Sequence, residues 1–138
     1  MAGQTQIPGV LVFDVNNLEV SATGGIWEPS NIVAVTEAFD LGAAFQGSGF
    51  VWQWLKTWAV QYRVSYFAEG IGASATEADL GSRLNNLNAS NNYTFADTKI
   101  TVPAGTLTPG VYRIACLVTF PGAPGLTGFF ESLVIEVY

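Results

Sequence analysis

The chain has 138 residues, a size that suits one domain and buries roughly two-thirds of the surface its unfolded form exposes. Hydrophobic residues make up 49 % of it and charged residues 12 %, about half the usual share of charge, so disorder is excluded; no apolar run approaches the ~20 residues of a membrane span. The net charge of −6 comes from eleven acids against five isolated cations, and without a basic cluster there is nothing to replace phosphate counterions, which argues against a nucleic-acid partner.

Residues 1–9 read as a flexible leader punctuated by Pro8-Gly9. They contain neither a basic nor an apolar secretory segment, so the expected location is cytoplasmic, with signal-independent export left open. The rest, 10–138, reads as a single β-domain. Val10 to Phe13, the Asn16-Asn17 turn and Leu18 to Thr23 make two short strands or one bulged strand. Trp27 lies between the turn clusters Gly24-Gly25 and Glu28-Pro29-Ser30-Asn31, either as a lid on the core or as a contact residue. From Asn31 to Phe45 the odd positions Val33, Val35, Phe39, Leu41 and Phe45 are apolar, with Glu37 the exception, which predicts one long strand bulged near that residue. Gln46-Gly47-Ser48-Gly49 then reads as a hairpin loop.

The strongest period-two signal follows. Trp58, Val60, Tyr62, Val64 and Tyr66 share one parity while Ala59, Gln61, Arg63 and Ser65 share the other, as in a half-buried core strand. The same parity extends back through Phe50, Trp52 and Trp54. One strand over 50–66 would span more than about 50 Å, so a break is expected near Leu55-Lys56-Thr57. Ala73 to Asn92 lacks period-two order and reads as a mobile polar connection in which the triplets Asn88-Ala89-Ser90 and Asn92-Tyr93-Thr94 match a glycosylation pattern by chance. Tyr93 to Val102 reads as a strand. Tyr112, Ile114, Cys116, Val118 and Phe120 form another inner parity, and Phe129 to Tyr138 a last strand.

The Pro109-Gly110 corner leading to Tyr112 resembles the tyrosine corner of immunoglobulin-like sandwiches, whose hydroxyl bonds back to the corner backbone. In those domains the cysteine lies two residues beyond the tyrosine; here Ile114 takes that place and the single cysteine, Cys116, comes two later. The resemblance is one of fold. It implies an all-β, antiparallel sandwich, immunoglobulin-like or fibronectin-like, and the turn signals along the chain separate about seven to nine strands with no helix.

Chemistry is sparse. Histidine is absent, which removes the commonest general base and transition-metal ligand, and one cysteine cannot build a zinc site, so no metal or cofactor is expected. Cys116 lies on an inner parity, where a thiol is buried and inert. A carboxylate-based hydrolase remains the third reading, resting on Glu37 or Glu69, each of which interrupts or ends an apolar parity. The leading expectation is a non-catalytic sandwich acting by protein contact, as a self-associating subunit or an interaction domain, motivated by low charge and by free strand edges at the leader and the last strand. Its alternative is a carbohydrate-binding module. The candidate binding residues are Trp27, Phe50, Trp52 and Trp54, of which the carbohydrate reading uses Trp52, Trp54 or Trp27 as its stacking platform.

Overall fold

The computed structural model describes residues 4–7, 10–23, 30–72 and 77–138. Their elements, in chain order, are β1 (Gln4–Ile7), β2 (Leu11–Ala22), β3 (Ile32–Val33), β4 (Phe39–Ser48), α1 (Phe50–Thr57), β5 (Gln61–Ile71), β6 (Glu77–Asn86), β7 (Asn92–Tyr93), α2 (Phe95–Thr98), β8 (Ile100–Val102), β9 (Gly110–Thr119) and β10 (Thr127–Val137). They form an immunoglobulin-like sandwich of two sheets. One runs β1-β2-β4, with β7 and β8 in turn on the far side of β4; the other runs β3-β10-β9-β5-β6. Every pairing is antiparallel except that of β3 with β10. In immunoglobulin terms β2, β4 and β8 hold the places of strands A, B and E, β5, β9 and β10 those of C, F and G, and β6 extends the second sheet as C′ does.

Alternation builds the core between the sheets. Tyr62, Val64, Tyr66 and Ala68 on β5 face inward beside Tyr112, Ile114, Cys116 and Val118 on β9, all buried. The opposite sheet supplies Leu41, Ala43 and Phe45 from β4. In β2 the pairing slips between Val15 and Asn17, which shifts the inner parity from Phe13 and Val15 to Leu18 and Val20. One extra residue thereby keeps both apolar sets on the same face, so the segment is a single bulged strand. The tyrosine corner is present: the Tyr112 hydroxyl donates to the Thr108 carbonyl at 2.7 Å.

Several expectations require correction. Ten strands and two helices stand among the described residues, where seven to nine strands and no helix were expected. The leader contains β1, paired to β2. The long strand over Asn31 to Phe45 is two, because residues 34–38 turn to carry the chain from the second sheet to the first. Gln46 to Ser48 belong to β4 rather than to a hairpin loop. Half of the expected polar connection is β6, an edge strand that buries Leu80 and packs Ala78 partly against the core. The expected strand over Tyr93 to Val102 is split by α2. There Thr98, fully buried, donates its hydroxyl to the Ala43 carbonyl at 2.6 Å and accepts from the Ala43 N–H at 2.9 Å. One side chain thus satisfies the β4 backbone between the short ladders of β7 and β8. The last strand is not an open edge throughout, since β3 pairs with its end at Glu136 and Val137.

Candidate functional site

The segment from Phe50, expected as a strand running to a break near Leu55-Lys56-Thr57, is the helix α1, closing one end of the sandwich between β4 and β5. A spacing of four residues satisfies both a period of two and a helical turn, so the aromatic pattern alone does not separate them. The flanks decide it. Gly49, at φ 95°, turns the chain out of β4, and a side chain there would run into the Val10 backbone. At the other end the Val60 N–H reaches the Leu55 carbonyl at 3.1 Å and the Ala59 N–H reaches Lys56 at 3.0 Å, with Ala59 left-handed at φ 47°. This is a Schellman closure, with Leu55 and Val60 both packed against the core. Lys56 complements the carbonyl end of the helix and donates to the side chain of Asn91 and to the Ala89 carbonyl.

The helix sorts its aromatic residues into two roles. Trp52 is fully buried, stacked 5.8 Å from Phe13 and edge-on to Phe120 and Tyr93 at 6.1 and 6.3 Å. It rests on Gly47, where a methyl group would overlap the indole. Its indole N–H has no hydrogen-bond partner among the described residues. Phe50, Trp54 and Trp58, one turn apart, point to solvent with exposures of 51, 55 and 70 %. Their rings form a continuous row: Phe50 meets Trp54 edge-on at 5.5 Å, and Trp54 lies 6.4 Å from Trp58 with planes 31° apart.

Of the residues expected to bind, Phe50 and Trp54 therefore sit together on the surface, while Trp52 is a core anchor and not a contact residue. Trp27 lies outside the described residues. Trp58, expected inside the core strand, is the most exposed of the row; only its four-residue spacing from Trp54 pointed to it. The two carboxylates considered for hydrolysis are not brought together. Glu37 borders small cavities of about 10 and 90 Å³ beside β3, whereas Glu69 lines a separate cavity of about 400 Å³ on the outer face of the second sheet. Burial pushes the Cys116 thiol up to about 12, so it holds its proton at neutral pH. Among the described residues there is no group of three or more His, Cys, Asp or Glu side chains placed to hold a metal ion, and no helix is long and apolar enough to cross a membrane.

No protein-family model matches the chain, and neither does any curated protein. Among solved structures it is similar to an immunoglobulin-like protein from Pseudomonas aeruginosa, at 11 % identity over 91 % of this chain and 96 % of that one, with a TM-score of 0.47. It is similar to a CARDB domain from Pyrococcus furiosus, solved in complex with di-metal ions, at 14 % identity over 88 % of each chain and a TM-score of 0.46. A β-glucosidase from Listeria innocua matches at 12 % identity and a TM-score of 0.49; the match covers 90 % of this chain and 16 % of that one. At such identities and scores none of these likenesses bears on what the chain does.

Proposed function

We propose that the protein is a non-catalytic sandwich module that associates with further copies of itself through the aromatic row on α1. The observation that carries this reading is the contiguity of Phe50 and Trp54 on α1 with Trp58 at its C-cap, three large rings held half or more exposed while Trp52 of the same helix is locked in the core. Exposed aromatic rings clustered on a rigid element are what binding hot spots are made of. The chain's low charge adds to this, since few charged groups oppose contact between copies. Sedimentation velocity over a concentration series tests it. Association that grows with concentration and disappears in a Trp54→Ala/Trp58→Ala variant supports the reading. A wild type that stays monomeric throughout, or a variant that associates equally, overturns it.

A carbohydrate-binding reading has one observation of its own: the Trp54 and Trp58 planes differ by 31°, so these two rings approach a shared stacking surface. The 72° turn to Phe50 breaks that surface after two rings, and this favours protein contact. Titrating tryptophan emission with a polysaccharide panel separates the two, because sugar stacking changes the emission at protein concentrations too low for self-association.

A further inference from the structure

A second surface, remote in function from the aromatic row, has the makings of a ligand site. On the outer face of the β3-β10-β9-β5-β6 sheet, cross-strand register sets Ala115 of β9 opposite Phe67 of β5, and Phe129 of β10, paired with Leu117 two residues along β9, lines the same hollow. The small alanine between two rings leaves a hollow of about 400 Å³, within the range of small-molecule pockets and larger than the cavities beside Glu37. Phe67 and Phe129 remain 38 and 37 % exposed, so each presents ring surface that the fold itself leaves uncovered.

The rim is built by the same register. Glu69 pairs across the ladder with Glu77 on one side and Arg113 on the other, and Phe67 pairs with Asp79. Glu131 completes the lining. Four carboxylates against one guanidinium leave a net formal charge of −3 around an aromatic hollow. Like charges placed directly opposite, as Glu69 and Glu77 are, destabilise a sheet unless a counter-charge lies between them. An anion finds only Arg113 here, and a neutral apolar ligand adds no counter-charge beside Glu69, Glu77 and Asp79. A cation satisfies both features, since ring faces attract cations and carboxylates give charge-assisted hydrogen bonds to N–H donors.

We infer that this hollow binds a small organic cation, an ammonium or guanidinium group carried on an apolar body of about arylalkyl size, with the body between Phe67 and Phe129 and the charged head at Glu69 and Asp79. The inference does not depend on the role of α1.

The test is an NMR titration of the full-length protein with 2-phenylethylammonium, its neutral isostere 2-phenylethanol and its anionic counterpart 3-phenylpropionate. Saturable shifts confined to β5, β6, β9 and β10 are expected for the ammonium, with affinity at least about tenfold above the alcohol and weakened by salt. Glu69→Gln/Asp79→Asn should lower the ammonium affinity by about tenfold while leaving the alcohol unchanged, and Ala115→Leu should abolish both by filling the hollow. Unchanged thermal melting establishes that these surface variants are folded; a variant that melts early is replaced by Phe129→Ser, which removes one wall. Equal affinity for ammonium and alcohol, preference for the anion, or absence of saturable shifts at the hollow overturns the inference. An N-acetyl-lysine amide binding more tightly than the free amine also overturns it, because the pocket then serves the side chain of a protein partner.

Discussion

Thr98 shows how much one residue carries in this fold. Its hydroxyl both donates to and accepts from Ala43, and its own carbonyl accepts the Tyr66 hydroxyl at 2.7 Å, with Tyr62 reaching the neighbouring Asp97 carbonyl at 3.2 Å. The two sheets are thus tied through buried polar contacts as well as through apolar packing. Thr98→Val keeps the shape but strands both backbone groups of Ala43, so a loss of about 2–4 kcal/mol is expected in chemical denaturation; Tyr66→Phe, which strands one carbonyl, should cost about 1–2 kcal/mol. Burial raises the phenols as well: Tyr62 is pushed up to about 12 and Tyr66 higher still, chiefly because an ionised ring would lose its hydration. In the unfolded chain these phenols ionise near 10, so above that pH the unfolded state binds fewer protons than the native one and stability falls as pH rises. Their contribution is complete below pH 10 and is lost progressively from there through about 12. Denaturation midpoints measured from pH 8 to 12 should follow this course, and Tyr62→Phe should flatten the decline.

At the scale of the element, α1 separates anchoring from display. Trp52→Ala empties a fully buried site bounded by Phe13, Tyr93 and Phe120 and should cost about 3–5 kcal/mol, whereas Trp54→Ala, in solvent, should stay within about 0.5 kcal/mol. Parallel urea titrations of the two variants check the division. The helix also carries a local strain, since Ala59 is left-handed where glycine is usual. Ala59→Gly relieves it and should raise stability by about 0.5–1 kcal/mol, read as a higher urea midpoint at unchanged slope. This element was the least legible part of the sequence. Its rings fall at 50, 52, 54 and 58, a spacing that reads as a strand, and the choice of helix rests on the exit at Gly49 and the closure at Ala59-Val60. β6 was hidden for a different reason. An edge strand whose outer face meets water has little need of alternation, and its register slips once at Leu80, opposite Tyr66 and Phe67, which erases what period remained.

At the scale of the whole molecule, most pairings among the described residues join distant parts of the chain, Ile32 and Val33 of β3 closing on Glu136 and Val137 of β10. Folding should therefore run on the slow side for a domain of this size, in milliseconds to seconds, and stopped-flow emission dominated by burial of Trp52 is the measurement that checks it.

The sequence by itself determined the class of fold, since a core strand buried on one side must alternate. The parities of β5 and β9, the bulged parity of β2 and the Pro-Gly-Tyr corner are direct consequences of that requirement. It also determined which rings were candidates for contact, though not which of them faced water. That was left to the tertiary structure, because exposure depends on what stands opposite. Gly47 makes room for Trp52, whereas Trp54, Trp58 and Phe50 are left half or more exposed. The hollow beside Ala115 belongs to the same category. Its residues lie on β5, β6, β9 and β10, and only cross-strand register brings Phe67, Asp79, Glu69 and Arg113 together. Alternation is a property of each strand alone, and register is a property of pairs, which is why the first was legible and the second was not.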